Sequence, residues 1–170
     1  MQFRLQRRFE GGFTLTEVMT SVMLLATFFG SIYELNTLCF RYVNASKENV
    51  AAIQGVQDRL ETLRSLAFSD LTSASYLTTL LTTPSNSAPL AQRVVETVTV
   101  SDYPNGSPAV TYSRAAGANV TPTTTWTGGT SFGSATNMVK VNVRYNWTTT
   151  FGGRARSEET ESLIAGGIKK

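Results

Sequence analysis

The side chains that carry most enzyme chemistry are scarce in this 170-residue chain, which has no histidine and one cysteine, Cys39. These counts exclude a serine–histidine–aspartate triad, a cysteine–histidine pair, a zinc-finger site and an intrachain disulfide framework. We therefore expect no enzymatic activity, no cofactor and no metal. We interpret Cys39 as a small apolar residue of a helix, with a disulfide-linked dimer or a lipidated thiol as the alternative.

Glu17 is the acidic side chain whose position most demands an explanation. It is the single charged residue in the apolar run over residues 13–33. A helix needs about 20 apolar residues to cross the bilayer core of about 30 Å, and a carboxylate inside that core costs several kcal/mol unless it is paired. The sequence thus predicts a membrane-spanning helix in which Glu17 has a functional partner.

Three arginines, Arg4, Arg7 and Arg8, precede this apolar run. Of the 15 basic and 12 acidic side chains, these three and Glu10 lie within residues 1–12, so the remainder of the chain is nearly balanced. Arginines before an apolar segment keep that end in the cytoplasm, and we expect the rest of the chain on the far side of the membrane. The nearly neutral body argues against nucleic-acid binding.

Two other kinds of N-terminal segment fit this pattern less well. A secretory signal peptide has a shorter apolar core of about 7–15 residues, followed by a small-x-small cleavage site. Here the small pair Gly11-Gly12 comes before the apolar run. A plain signal anchor explains the length and the arginines, but it leaves Glu17 without a role.

One segment resembles the class III signal of type IV prepilins and type II secretion pseudopilins: Gly11-Gly12-Phe13-Thr14-Leu15-Thr16-Glu17-Val18. The resemblance covers residues 4–35, including the short basic leader. The pattern departs from the family at Thr16 and Thr20, where aliphatic residues are usual, and the apolar run ends early, at Tyr33. These departures make the chain look like a minor subunit.

The resemblance implies that a membrane prepilin peptidase cleaves after Gly12 and N-methylates the new first residue, Phe13. Glycine suits the cleaved bond because no Cβ blocks an extended approach. The resemblance also implies that Glu17 sets the register between subunits. Pairing of Glu17 with the new ammonium of a neighbour's Phe13 would offset the cost of burying the carboxylate.

Four regions are predicted along the chain. They are a leader over residues 1–12, the membrane or filament-core half of a long helix over 13–34, its amphipathic half over 35–68, and a head domain over 69–170. The amphipathic half is predicted to place four charged residues on its polar side: Asp58, Arg59, Glu61 and Arg64. We interpret Gly30 and Gly55 as small residues at packing contacts, with a flexible turn as the alternative.

Apolar and polar residues alternate along parts of the predicted head domain, as is typical of β-strands. Strands are predicted over residues 93–100, 109–113, 138–147 and 154–164, with a short helix near 76–81. One face of the third strand should pack on the long helix through Val139, Val141, Val143, Tyr145 and Trp147. The Thr- and Gly-rich segment 121–136 is predicted to be an exposed loop, with Trp126 either folding it onto the sheet or contacting a partner. The predicted fold class is α+β, with a small antiparallel sheet laid across a long N-terminal helix in a pilin-like arrangement.

The sequence therefore predicts a structural subunit, of the minor kind, of a type IV pilus or a type II secretion pseudopilus. Its expected partners are the prepilin peptidase, other pilin or pseudopilin subunits, the inner-membrane assembly machinery and membrane lipid. Before assembly it would be a single-pass protein of the bacterial inner membrane with a cytoplasmic N-terminus. After assembly it would lie in a periplasmic pseudopilus or an extracellular pilus. The alternative is a membrane-anchored binding or adhesion module outside the cytoplasm.

Overall fold

The structure, a computed structural model, describes residues 12–167 of the chain. Its elements in chain order are α1 (Leu15–Ser65), α2 (Phe68–Leu71), α3 (Ala74–Leu80), β1 (Val95–Asp102), β2 (Ala109–Arg114), β3 (Thr123–Thr127), β4 (Met138–Thr148) and β5 (Ala155–Ala165). The chain falls into two compact units that divide between Tyr42 and Val43, within α1.

The predicted long helix is confirmed as one continuous element, α1. Its C-terminal part buries Ala52, Val56, Leu60 and Leu63, at spacings of three and four residues, against the sheet. This spacing places apolar side chains on one side of a helix with 3.6 residues per turn. Ile53 is 40% exposed, and Ala52 beside it is fully buried.

The five strands form one antiparallel sheet in the order β3-β2-β1-β4-β5. Val98 in the central strand β1 pairs with Tyr112 of β2 on one side and with Val143 of β4 on the other. The predicted inner face of β4 is confirmed, because all five of its alternating residues, from Val139 to Trp147, are buried. The predicted α+β class, with an antiparallel sheet packed on the long helix, is therefore confirmed.

The prediction of an exposed loop over residues 121–136 is wrong for its first part, because Thr123–Thr127 forms the edge strand β3. This strand pairs with β2, and its threonines are β-branched residues that suit a pleated backbone. Trp126 lies opposite Val110, and its ring centroid is 5.4 Å from that of Phe132. Trp126 packs against the core, which confirms that it folds this segment onto the sheet.

The prediction that Arg59 lies on the polar side of the helix is also wrong, since Arg59 is only 2% exposed. Asp58, Glu61 and Arg64 are exposed as predicted, and the Arg64 guanidinium lies 4.0 Å from the Glu61 carboxylate. Arg59 lies on the buried side with Val56 and Leu63. An ion pair with Glu96, described below, offsets the cost of burying its charge.

The segment between the long helix and the sheet is more helical than its composition predicts. The short helix expected near residues 76–81 is confirmed as α3, and a further turn, α2, precedes it. Leu71, Leu77 and Leu81 of this segment are all buried in the core of the head. These contacts explain the order of a segment rich in serine and threonine.

Candidate functional site

The start of α1 is closed by a reciprocal pair of hydrogen bonds between Thr14 and Glu17. The backbone N–H of Thr14 donates to Oε2 of Glu17 at 2.9 Å, and the backbone N–H of Glu17 donates to Oγ1 of Thr14 at 3.3 Å. The Thr14 hydroxyl also donates to Oε2 of Glu17 at 3.0 Å. This is a capping box, in which the two side chains satisfy backbone donors that the first helical turn leaves free.

Gly12 and Phe13 lie directly before this cap and outside the helix. Both are exposed, Phe13 by 85%. A Cβ built on Gly12 would meet no atom of the described chain within 4 Å, so packing does not require glycine there. The structure thus brings Gly12, Phe13 and Glu17 into one short accessible segment. The leader residues Arg4, Arg7 and Arg8 lie outside the described residues.

The N-terminal part of α1 presents an uncovered apolar surface. None of its most apolar window is buried within the described chain, and α1 is long and apolar enough to cross a membrane. Large apolar residues are exposed on all sides of it: Leu15, Val18, Met19, Val22, Met23, Leu24, Leu25, Phe28, Phe29 and Ile32. A soluble monomer rarely exposes so large an apolar patch, and such a surface is compatible with a membrane environment.

A second cluster of charged side chains lies inside the head, where Glu96 of β1 is held between two arginines. Nε of Arg59 donates to Oε1 of Glu96 at 2.6 Å, and Nε of Arg114 donates to Oε2 at 3.1 Å. All three residues are at most 2% exposed. A cluster so enclosed has no access to a substrate, and its contacts define a structural role.

The two arginines also satisfy backbone carbonyl groups of the surrounding loops. Arg59 donates to the carbonyl oxygen of Thr83 at 2.6 Å, and Arg114 donates to those of Ala91 and Gly117 at 3.0 and 2.8 Å. The cluster therefore ties α1, β1 and β2 to the loops on either side of them. Such fully hydrogen-bonded pairs offset the desolvation cost of buried charges.

Sequence reasoning predicted roles for Gly12, Phe13 and Glu17, and it missed both hydrogen-bonded arrangements. The capping box had a visible signal, since threonine followed three residues later by glutamate before an apolar run is a helix-start signature. The pair that Glu96 and Arg114 form across neighbouring strands also had a signal in the sequence. Glu96 continues the inward alternation of Val98 and Val100, and it pairs directly with Arg114.

Comparisons of the chain with protein-family models, with curated proteins and with solved structures give no match. The structure defines an α+β fold, in which the C-terminal part of a long N-terminal helix packs on an antiparallel sheet, and this arrangement is consistent with a pilin-like fold. The function is therefore inferred from the fold and from the segment around Gly12, Phe13 and Glu17.

Proposed function

We propose that this chain is a filament subunit of a type IV pilus or a type II secretion pseudopilus, made as a membrane precursor and cleaved between Gly12 and Phe13. One observation carries the proposal: an exposed, non-helical Gly12–Phe13 bond stands directly before a capped helix whose apolar surface is uncovered. A peptidase could reach this bond without unwinding the helix. Recognition of this bond by a peptidase explains why residue 12 is a glycine although packing does not require one.

Cleavage would change the charge at the start of the helix. Hydrolysis of the amide bond consumes one water molecule and leaves a carboxylate on Gly12 and an ammonium on Phe13. Transfer of a methyl group from a sulfonium donor to that nitrogen breaks the donor's sulfur–carbon bond and releases one proton, and the methylated nitrogen is protonated again at neutral pH, so the positive charge is kept. The mature chain would then carry a cation at Phe13, directly before the helix, and a carboxylate at Glu17 in the first turn of the helix.

Glu17 would exchange partners on assembly. In the single chain its carboxylate accepts hydrogen bonds from Thr14. Inside a filament, the ammonium at Phe13 of a neighbouring subunit offers a charge-assisted hydrogen bond, which is about twice as strong as a neutral one. The exchange keeps the carboxylate partnered while the helix leaves the membrane for the apolar interior of the filament.

The location follows from the same helix. The apolar part of α1 would hold the precursor in the bacterial inner membrane, and the arginines of the leader would keep its N-terminus in the cytoplasm. After cleavage and assembly, the head would lie in a periplasmic pseudopilus or an extracellular pilus. The partners would be the prepilin peptidase, the assembly machinery and other subunits.

Mass spectrometry of the protein from its own cells tests this proposal. The expected N-terminus is Phe13 carrying one added methyl group. Gly12→Val should abolish cleavage because a branched side chain obstructs the extended approach, whereas the matched Gly30→Val should leave cleavage unchanged. An intact leader in the mature protein, or cleavage beyond Tyr33, would overturn the proposal and favour a membrane-anchored binding module or a secreted protein.

A further inference from the structure

The charges of the head are distributed unevenly. Residues 43–167 contain nine basic and nine acidic side chains, so their net charge is zero. At the end of the sheet where the chain turns from β4 into β5, four basic side chains accompany one acidic side chain: Lys47, Arg93, Arg154, Arg156 and Glu48. The next acidic residue of β5, Glu158, lies further from the turn than Arg156, opposite Tyr145. This end thus has a net charge of +3, and the rest of the head is acidic.

Glu48 of α1 holds the turn between β4 and β5. The backbone N–H of Thr150 donates to Oε1 of Glu48 at 3.1 Å, and the Thr150 hydroxyl donates to the same oxygen. Nη1 of Arg93 donates to Oγ1 of Thr150 at 3.0 Å and lies 3.8 Å from the Glu48 carboxylate. Arg154 and Arg156 follow the turn on β5, and Lys47 precedes Glu48 in the chain. These contacts therefore gather the basic side chains around one turn.

The basic side chains face solvent, whereas the acidic one does not. The Glu48 side chain is only 14% exposed. Arg154 and Arg156 are exposed, and within residues 12–167 neither lies within ion-pair distance of a carboxylate. Phe151, in the turn itself, is half exposed. Cations beside an exposed aromatic ring are the composition of surfaces that bind the interface of anionic membranes. We call this surface the basic turn, and it consists of Lys47, Arg93, Phe151, Arg154 and Arg156.

The connection between the apolar run and the head is short. Only nine residues separate Tyr33, where the apolar run ends, from Val43, where the compact unit of the head begins. In a helix nine residues span about 14 Å, and the headgroup layer of a bilayer takes up about 5–8 Å of that length. The head of an inserted chain would thus begin within about one Debye length of the headgroups. A membrane helix is tilted by about 20° on average, which lowers one side of a tethered head toward the surface.

We propose that the basic turn binds the surface of an anionic lipid membrane, with Phe151 in the headgroup layer and the four cations at lipid phosphates. The inference rests on the proposed function, because insertion of α1 is what brings the head to a membrane. Charge complementarity selects this occupant, since each basic residue near an anionic surface raises the equilibrium constant for contact by about fivefold. The contact would hold the head on the membrane until assembly draws the chain into a filament.

Energy transfer from the head to lipid headgroups measures this contact on the full-length chain in vesicles. A chain with Cys39→Ser and Ser157→Cys carries a donor dye at residue 157, which is exposed and adjacent to Arg156. With acceptor dyes on the headgroups, transfer should be greater when phosphatidylglycerol is mixed with phosphatidylcholine than in phosphatidylcholine alone. A donor at Asn105→Cys, in the turn at the other end of β1, should show no such increase. Equal transfer from residue 157 in the two membranes would overturn the proposal.

Removal of charge tests the role of the two arginines. Arg154→Gln with Arg156→Gln should lower the equilibrium constant for contact with the anionic vesicles by at least about tenfold. Arg64→Gln with Lys140→Gln is the matched control, because it removes the same charge from side chains that contact the second half of β5. It should change the constant by less than about twofold, since those charges are screened from the surface. Equal losses in the two double variants would refute the contact.

Two measurements on the same protein, purified from its own cells, separate this inference from the proposed function. Flotation with phosphatidylcholine vesicles reports on the insertion of α1, and the mass of the N-terminal peptide reports on cleavage. A chain that floats and begins at methylated Phe13, but shows equal transfer in both membranes, would retain the function and refute the contact. A chain that keeps its leader, yet shows greater transfer in the anionic membrane, would support the contact and refute the function.

Discussion

Gly55 of α1 lies directly against the ring of Tyr145 of β4, so closely that a Cβ built on Gly55 would be 2.7 Å from Cε2 of that ring. The tyrosine hydroxyl donates to the carbonyl oxygen of Gly55 at 3.3 Å and hydrogen-bonds Ser85 at 2.5 Å. The ring is fully buried and held at its end, so it cannot move aside. This contact confirms that Gly55 is a packing residue and not a flexible turn.

We expect Gly55→Ala to destabilise the head by about 1–3 kcal/mol, since overpacking outweighs the helix propensity that alanine gains. Urea unfolding of the full-length protein in detergent, followed by tryptophan fluorescence, measures the change. Gly30→Ala is the matched control, because a Cβ at Gly30 meets no atom of the described chain within 4 Å. Equal stability of Gly55→Ala and wild type would contradict the close contact.

The buried charge cluster predicts a larger loss. Glu96→Gln removes the carboxylate that Arg59 and Arg114 share, leaving two buried guanidinium groups, and should lower the free energy of unfolding by about 3–5 kcal/mol. The same urea titration measures it. Glu159→Gln is the control, because Glu159 pairs with Arg144 at 3.6 Å on the half-exposed outer face of the sheet. That change should cost less than about 1 kcal/mol, and equal losses in the two variants would contradict the structural role of the cluster.

Charge and capping at Glu17 can be separated by substitution. Glu17→Gln keeps an oxygen that can accept from the Thr14 N–H but removes the negative charge. It should leave cleavage after Gly12 intact while lowering incorporation into filaments by at least about tenfold, because the neighbour's ammonium loses its partner.

Thr14→Val is the complementary variant. It removes the hydroxyl that accepts from the Glu17 N–H, weakens the helix start by about 1 kcal/mol, and keeps the charge. Incorporation should therefore be near that of the wild type. Mass spectrometry measures cleavage after Gly12. The amount of the chain in filaments sheared from the cells measures incorporation. A greater defect in Thr14→Val than in Glu17→Gln would show that capping, not charge, limits assembly.

Tyr145 predicts how stability depends on alkaline pH. Burial, with a contribution from the negative charge of Glu96, raises the pKa of Tyr145 from its ordinary value of 10.0 to about 12. The folded state therefore holds this proton more tightly than the unfolded state. Its contribution to stability is complete below pH 10 and is lost as the pH rises toward 12, with a ceiling of about 2–3 kcal/mol.

Urea unfolding of wild type and Tyr145→Phe between pH 9 and pH 12 checks this dependence. The phenylalanine variant is expected to lose less stability over that range because it has no phenol to ionise. Parallel slopes for the two proteins would show that Tyr145 does not contribute to the alkaline loss. Tyr112 is also buried, and its pKa is likewise raised to about 12, so Tyr112→Phe should reduce the slope further.

Local patterns account for the features that the sequence predicted correctly. The apolar spacing of Val56, Leu60 and Leu63 and the alternation from Val139 to Trp147 each define a buried face without reference to distant residues. The role of Glu17 stays a prediction, and it rests on one carboxylate that interrupts an otherwise uncharged run. The resemblance then supplied its expected partner, a neighbour's Phe13.

Distant pairings account for the errors. Arg59 is buried because Glu96, 37 residues further along the chain, accepts its hydrogen bonds, and nothing in the helix itself indicates that partner. Thr123–Thr127 becomes a strand because the edge of β2 offers its backbone hydrogen-bonding groups. A threonine-rich segment read alone has too little apolar surface to predict this order.

The bond between Arg59 and Glu96 also has a mechanical consequence. Arg59 belongs to the helix and Glu96 to the central strand of the sheet, and Glu96 is in turn held by Arg114 of the next strand. Apolar contacts allow two surfaces to slide past each other, whereas a hydrogen-bonded ion pair is directional and resists sliding. Tension along α1 would thus pass into two strands of the sheet at a defined point. Single-molecule pulling should show a lower rupture force in Glu96→Gln than in wild type.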